Sequence, residues 1–262
     1  MELQIIGGGR MGEALVSGLL SASWAEATEL AVIEADEARA DDLRERLGDV
    51  TVGDVPVRAA GAVLAVKPND MADACAALAR RRCRRVLSIA AGVTITRLED
   101  ALGPKTAVVR AMPNTPALVG HGASAIAAGS TATDDDLEWA ESILNAVGTV
   151  VRVKEPLLDA VTGLSGSGPA YVFLMLESLI EGGVLAGLPR DQAQALATQT
   201  LVGSAQLLVE TGDDPETLRA AVTSPAGTTA AGLRALERGG ARAAFLEAVV
   251  AATERSKELG QP

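Results

Sequence analysis

Short apolar runs alternate with helical patterns along the first half of the chain. The runs are rich in Leu, Ile, Val and Ala, which is typical of strands inside a sheet covered on both faces. Strands that alternate with helices predict βαβ units and a parallel sheet. The predicted strands are Leu3–Ile6, Leu30–Ile33, Val63–Val66, Val86–Ile89 and Ala107–Val109, and the predicted helices are Met11–Ala22, Asp36–Leu47 and residues 136–147.

In the second half the strand-like runs end and long apolar helices begin. Pro169 and Pro189 stand near the first positions of two of them, where proline is favoured. Shorter helices are predicted from Pro215, Thr228 and Ala241. Because the long helices are apolar on more than one face, we expect them to form a subunit interface. The pattern therefore predicts two domains, residues 1–155 and residues 156–262.

A glycine-rich segment joins the first predicted strand to the first predicted helix. It satisfies G-x-G-x-x-G, in which Gly7 permits a tight turn, Gly9 lets the backbone approach a pyrophosphate, and Gly12 permits close helix–strand packing. Arg10 and Met11 open the helix, whose positive end and free N–H groups suit phosphate. These five residues predict a dinucleotide site in a Rossmann-type domain. The alternative is a glycine turn that binds no ligand.

The end of the second predicted strand bears on the choice of cofactor. Glu34 lies 22 residues after Gly12, near the position of the acidic residue that binds the ribose of NAD. Asp36 is also acidic, and Ala35 offers no cation to the 2′-phosphate of NADP. Unit negative charges 5 Å apart repel by roughly 3 kcal/mol at an effective dielectric near 20, and solvent lowers this value. NADH is therefore expected to serve at least comparably with NADPH, unless Glu34 is only a solvated charge.

Charge excludes one class of partner. The net charge of −11 argues against a general nucleic-acid binder, which needs a basic surface. One basic cluster stands out, formed by Arg80, Arg81, Arg82, Arg84 and Arg85. Cations at a helix end are favourable to the macrodipole, and we interpret the cluster in this way. A site for an anion or a partner is the alternative.

The cysteines and the N-terminus indicate a compartment. Cys75 and Cys83 are the only cysteines; they lie in one predicted helix without metal-ligand spacing, so no metal site is predicted. The N-terminus lacks the pattern of a signal peptide. The uncharged stretch Ala160–Leu176 is interrupted by Gly, Ser and Pro and does not predict a membrane span. We expect a cytoplasmic protein that binds neither membrane nor nucleic acid.

Further segments follow from no general rule of folding: Ala65–Pro68, Ser88–Thr94, Arg110–Pro116, Gly163–Tyr171 and Val222–Thr229. In order and spacing they resemble the pyrroline-5-carboxylate reductases over nearly the whole chain. The resemblance implies an α/β Rossmann-type N-terminal domain with a parallel sheet, an all-α C-terminal dimerisation domain, and higher homo-oligomers built from dimers. It also implies NADPH- or NADH-dependent reduction of 1-pyrroline-5-carboxylate to L-proline, the last step of proline biosynthesis.

The resemblance also implies the residues of two sites. The matching positions of the dinucleotide site are Val66, Lys67, Pro68 and Ala91, and those of the substrate loop are Ser224, Gly227, Thr228 and Thr229. The helix start in this loop can hold a carboxylate, and Thr229 is the expected catalytic residue, bonded to the ring nitrogen. The alternative is a hydroxyl that only caps the helix. Ala226 replaces the first glycine of the family's Ser-Pro-Gly-Gly, so this turn must tolerate a Cβ.

Two other functions stay open. A β-hydroxyacid dehydrogenase would need a catalytic lysine in the helical half, where Lys257 is the only lysine after Lys154. A non-catalytic dinucleotide-binding protein would share the same glycine loop, and only turnover separates it from an enzyme. His121, the only histidine, lies outside the matching segments, and we interpret it as dispensable.

Overall fold

The computed structural model describes residues 1–81 and 83–260. Arg82 of the predicted basic cluster therefore lies outside the described residues. The strands are β1 (Leu3–Ile6), β2 (Leu30–Ile33), β3 (Thr51–Gly53), β4 (Gly61–Leu64), β5 (Arg85–Ser88), β6 (Ala107–Met112), β7 (Gly122–Ala128) and β8 (Gly148–Arg152). They form one sheet in the order β3-β2-β1-β4-β5-β6-β7-β8.

Helices connect the strands and continue beyond them. The α-helices are α1 (Arg10–Ser21), α2 (Glu37–Leu47), α3 (Met71–Arg81), α4 (Ile95–Leu102), α5 (Asp134–Asn145), α6 (Leu158–Val161), α7 (Gly168–Leu185), α8 (Arg190–Thr211), α9 (Pro215–Ala221), α10 (Thr228–Arg238) and α11 (Ala241–Gly260). Short 3₁₀ helices span Ala27–Glu29, Pro68–Asp70, Thr115–Val119 and Glu155–Leu157, and a π-helical turn spans Thr162–Gly166.

The central strands are buried on both faces, which explains their apolar composition. Successive residues of a strand point to opposite sides of the sheet. Leu3 and Ile5 belong to a core cluster with residues of α1, α2 and α5, whereas Ile6 belongs to a second cluster with residues of α3 and α4. The helices thus form a layer on each face of the sheet, as the βαβ pattern predicts.

Sequence pattern locates the central strands better than the outer ones. β1 and β2 have the predicted bounds, and β4 and β5 begin one or two residues earlier than predicted. β3, β7 and β8 were not predicted. β3 is very short, and β7 is rich in Ala and Gly, which have low strand propensity. β8 is largely exposed at the sheet edge, so it lacks the apolar run of a central strand.

One pairing departs from the predicted parallel sheet. β6 and β7 are antiparallel, and every other neighbouring pair is parallel. The connection between them consists of residues 113–121, which is shorter than the dozen or more residues that a parallel crossover needs. The chain therefore reverses at this point, and the sheet is mostly parallel.

Contacts divide the chain into two compact units. The first comprises Met1–Ser167 together with the chain from Ala251 onwards, and the second comprises Gly168–Val250. α11 begins in the second unit, while its residues from Ala251 belong to the first. The sequence-based boundary between residues 155 and 156 precedes this division and stays a prediction.

The second unit is helical and exposes much of its apolar surface. α7 and α8 contact each other, yet only Ile180 and Ala193 are buried in them. Phe173, Leu174 and Leu196 are each about 60% exposed. The segment Glu155–Leu185, with a mean hydropathy of 1.3, is long and apolar enough to cross a membrane by length and composition alone. Exposed surface of this kind needs a cover, which the sequence predicts to be a second subunit.

Candidate active site

The glycines between β1 and α1 meet different constraints. Gly7 has φ +106°, and a Cβ there would lie 2.7 Å from the carbonyl oxygen of Ala65. A Cβ at Gly12 would lie 2.1 Å from the carbonyl oxygen of Gly7. At Gly9, in contrast, a Cβ would meet no atom of the described residues within 4 Å. Packing therefore requires Gly7 and Gly12, whereas Gly9 leaves the open space that a pyrophosphate needs.

α1 begins beside this open space with an uncapped N-terminus. Its N-cap is Gly9, which has no side chain to accept from the first N–H groups. The first helical bond runs from the N–H of Glu13 to the carbonyl of Gly9 at 2.9 Å, so the N–H groups of Arg10 and Met11 have no helical acceptor. Such a helix start attracts phosphate oxygens. The residues present therefore fit a dinucleotide.

Two side chains form hydrogen bonds with the backbone of Gly8. Its N–H donates to Glu34 Oε2 at 2.8 Å, and its carbonyl accepts from Arg39 Nε at 2.8 Å. Glu34 Oε1 also accepts from the N–H of Asp36 at 2.9 Å, so both oxygens of this carboxylate are bound to backbone. We call Gly8, Glu34 and Arg39 the loop clamp. It fixes the dinucleotide loop against the segment that follows β2.

A carboxylate also contacts each terminal nitrogen of Arg39. Nη2 donates to Glu13 Oε2 at 2.6 Å, and Nη1 contacts the carboxylate of Asp42. The hydrogen bond to Glu13 raises the pKa of Arg39 and outweighs the lowering by burial, and the charges of Glu13 and Asp42 raise the pKa further. A guanidinium whose charge is already paired with two carboxylates attracts a 2′-phosphate less strongly than an unpaired one. Glu34 still has lone pairs for ribose hydroxyls, since a carboxylate has about four acceptor positions.

The other predicted cofactor residues lie at the same edge of the sheet. Val66 and Lys67 follow the carboxyl end of β4, which pairs with β1, and Lys67 precedes the 3₁₀ helix that Pro68 opens. Ala91 follows the carboxyl end of β5 and is exposed. β2, β1, β4 and β5 are parallel neighbours, so these loops meet at one edge. Dinucleotides bind at this edge in sheets of this topology.

The predicted substrate loop forms the turn into α10. Ala226 has φ +59°, so the turn does place a Cβ in the left-handed region. Gly227 is the N-cap of α10, and its N–H donates to the carbonyl of Ser224 at 3.0 Å. No side chain caps this helix, and the hydroxyls of Thr228 and Thr229 have no hydrogen-bond partner among the described residues. The N–H groups and the hydroxyls of Thr228 and Thr229 are available to an anionic ligand.

Two residues of structural importance were not identified from the sequence. Arg39 belongs to no motif, because a side chain that reaches back to a loop carbonyl leaves no local pattern in the sequence. Asn114 joins two of the resembling segments: its side chain accepts from the N–H of Ala123 at 2.8 Å and donates to the carbonyl of Ser165 at 3.0 Å. The presence of Asn114 in the segment Arg110–Pro116 was the only available signal for this role.

His121 lies exposed in the connection between β6 and β7. Its backbone N–H donates to the carbonyl of Pro116 at 3.1 Å. Its imidazole makes no hydrogen bond to any residue that the structure describes. The histidine therefore lacks the partner that would orient a general acid or base.

Comparison with known protein families covers both parts of the chain. Residues 155–259 match the family model described as pyrroline-5-carboxylate reductase dimerisation. Residues 2–92 match the model described as NADP oxidoreductase coenzyme F420-dependent. The first match accounts for the exposed apolar helices, because a dimerisation domain buries such surface between subunits. The chain therefore forms an oligomer.

Relatives match over the full length. A pyrroline-5-carboxylate reductase of Synechocystis is 48% identical over 266 residues, covering 100% of this chain and 99% of the relative. The Methanosarcina acetivorans enzyme is 45% identical, covering 99% and 98%.

Solved structures agree with these relatives. The reductase of Coxiella burnetii has a TM-score of 0.93 at 36% identity, covering 100% of this chain and 99% of the other. That of Plasmodium falciparum, with NADP bound, has a TM-score of 0.85 at 30% identity, covering 100% and 98%. The chain belongs to the pyrroline-5-carboxylate reductase family, the NAD(P)H-dependent oxidoreductases that catalyse the last step of proline biosynthesis.

Proposed function

We propose that this chain reduces 1-pyrroline-5-carboxylate itself, and that the loop Ser224–Thr229 holds this substrate. The observation that carries the proposal is the uncapped start of α10, where two threonine hydroxyls lack partners among the described residues. A cyclic imine that bears a carboxylate needs both an anion site and a polar group at its nitrogen. This helix start offers both within consecutive residues.

The cofactor residues are proposed from the geometry of the glycine loop. Gly7, Gly9 and Gly12, with the N–H groups of Arg10 and Met11, bind the pyrophosphate at the start of α1. Glu34 binds the ribose, and the loops holding Val66, Lys67, Pro68 and Ala91 line the rest of the dinucleotide. A nicotinamide cofactor held by these residues would supply the hydride for the carbon of the C=N bond.

The substrate residues position the imine and neutralise its carboxylate. The N–H of Thr228 faces the carboxylate at the positive end of α10. Gly227, whose own N–H closes the turn onto the carbonyl of Ser224 at 3.0 Å, leaves the approach to this N–H free of a Cβ. The hydroxyl of Thr229 donates a hydrogen bond to the ring nitrogen. A threonine hydroxyl is a weak acid, so the proton that nitrogen gains passes through Thr229 from water.

Assembly and location complete the proposal. Dimers associate further into a higher homo-oligomer. The long helices are apolar on more than one face, and a single dimer interface covers only one face of each helix. The domain boundary lies near residue 155, where the dimerisation family model begins. The protein acts in the cytoplasm, where buried free thiols such as Cys75 and Cys83 remain reduced.

Turnover tests the proposal directly. The purified protein is mixed with NADH or NADPH, and the loss of nicotinamide absorbance is followed after 1-pyrroline-5-carboxylate is added. Oxidation that depends on the imine and yields proline is expected. Binding of cofactor without its oxidation would leave only a dinucleotide-binding protein. If the protein instead reduced the oxidised cofactor when a hydroxyacid was added, the dehydrogenase alternative would be favoured.

A further inference from the structure

A cleft lined by charged side chains lies at the edge of the sheet opposite the dinucleotide loop. Its volume is about 1180 Å³. Met1 before β1, Ala60 before β4 and Arg84 before β5 contribute to its lining, so it stands at the amino ends of these strands. The glycine loop follows the carboxyl end of β1, and a strand of four residues separates two such edges by ~13 Å. The cleft is therefore distinct from the cofactor site.

Arginines from three segments converge in this cleft, which we call the arginine cleft. They are Arg80 and Arg81 at the end of α3, Arg84 and Arg85 at the start of β5, and Arg58 in the connection between β3 and β4. Cations at a helix end explain only the first two. The convergence of the other three needs another reason in a chain whose net charge is −11.

The charge of these arginines is largely unpaired. The only ion pair among their described contacts joins Arg85 to Glu2 at 3.9 Å. Arg58, Arg80, Arg81 and Arg84 have neither an ion pair nor a side-chain hydrogen bond to any residue in 1–81 or 83–260. Guanidinium groups present planar, paired donors that match phosphate oxygens, and a concave site concentrates their field.

The lining of the cleft also contains acidic side chains. Asp136 accepts from the N–H and the hydroxyl of Thr133 at 2.9 and 2.8 Å, which completes the cap of α5. Asp135 also lines the cleft and has no such bond within the described part of the chain. A carboxylate of this kind accepts hydrogen bonds from sugar hydroxyls. The lining thus suits a molecule that carries both phosphates and hydroxyl donors.

We propose that the arginine cleft binds a nucleotide bearing several phosphates. The phosphates bind to Arg58, Arg80, Arg81 and Arg84, and the sugar hydroxyls donate to Asp135. Arg85 also lines the cleft, and its guanidinium carbon lies 4.8 Å from the ring centroid of Trp139. Phosphates bound beside Arg85 change the field at this arginine and therefore the environment of a buried tryptophan.

Calorimetric titration with ATP tests the proposal, and the fluorescence of Trp139 locates the binding. Trp24 is the only other tryptophan, so W24F leaves one reporter. We expect ATP to bind and to shift this emission, tripolyphosphate to bind more weakly, and adenosine not to bind. The triple variant R80Q/R81Q/R84Q should weaken ATP binding by about tenfold or more. Without ATP, the reductase activity of this variant should equal that of the unsubstituted protein. Equal activity would show that the variant is folded.

A matched variant controls for total charge. R97Q/K105Q/K154Q removes the same number of positive charges from exposed positions outside the cleft. It should leave ATP binding unchanged. Equal loss in both triple variants would overturn the assignment to the cleft, as would unchanged ATP binding in R80Q/R81Q/R84Q. Tripolyphosphate or an oligoglutamate peptide binding more tightly than ATP would contradict a nucleotide. A tenfold loss restricted to the cleft variant supports it.

Discussion

The change Glu34→Gln tests how the loop clamp sets cofactor preference. Glu34 is held by the N–H groups of Gly8 and Asp36 at 2.8 and 2.9 Å, so its charge cannot swing away from an incoming 2′-phosphate without losing both bonds. Arg39, the nearest cation in the clamp, is already paired with Glu13 and Asp42. Glutamine keeps an oxygen for the N–H of Gly8 and removes the charge.

The expected magnitude follows from Coulomb's law. Two unit charges about 5 Å apart repel by roughly 3 kcal/mol at an effective dielectric near 20. Glu34 is partly exposed, and screening leaves about 1–2 kcal/mol. Glu34→Gln should therefore raise kcat/KM for NADPH by roughly 5- to 30-fold. The value for NADH should fall by a smaller factor, because glutamine still bonds the loop but accepts less well from ribose.

Steady-state kcat/KM values for both cofactors, measured at one ionic strength, decide the matter. Glu45→Gln is the matched control, since it removes an equal charge from an exposed position on α2. The control should keep the parent ratio, and the parent should use NADH at least as well as NADPH. A hundredfold preference of the parent for NADPH would refute the reasoning. So would equal changes in the two variants.

Four further predictions concern other parts of the chain. Thr229→Ala should lower kcat/KM for the imine by roughly 2–3 kcal/mol, or about 30- to 150-fold, while Thr229→Ser costs much less. Full activity of Thr229→Ala would remove the hydroxyl from the mechanism. Ala226→Gly should raise the free energy of unfolding by about 0.5–1 kcal/mol, measured in urea, because φ +59° strains a residue with a Cβ; a loss of stability would show that the turn is relaxed. His121→Ala should keep most activity, and a thousandfold fall in kcat with the fold intact would overturn the assignment of roles. Light scattering should find only oligomers, whereas a stable and active monomer at low concentration would contradict the interface assigned to α7 and α8.

The parts of the fold that repeat a simple pattern could be predicted from the sequence. The central strands are apolar because both faces are covered, and G-x-G-x-x-G marks a turn whose glycines the packing requires at Gly7 and Gly12. The helices of the second unit begin within one residue of the predicted starts, which are Pro169, Pro189, Pro215, Thr228 and Ala241. In each case the cause is local, so a short window of sequence contains it.

Long-range contacts explain what could not be predicted. The chain reverses between β6 and β7 because the connection between them is short. β7 has no recognisable strand pattern, so the sequence does not show where this connection ends. Arg39 joins the site through a bond to a carbonyl that lies 31 positions earlier, at Gly8. The convergence of Arg58 with the arginines near β5 depends on the strand order β1-β4-β5. None of these long-range contacts leaves a pattern within a single segment of the sequence.

Transfer of deuterium tests the central claim most directly. NADH deuterated at the transferring position of the nicotinamide is incubated with the protein and 1-pyrroline-5-carboxylate, and the product is analysed by mass spectrometry and NMR. Reduction of the imine predicts proline with a single deuterium on the ring carbon that belonged to the C=N bond. Oxidised cofactor without labelled proline, or no oxidation by a folded oligomer, would contradict the account.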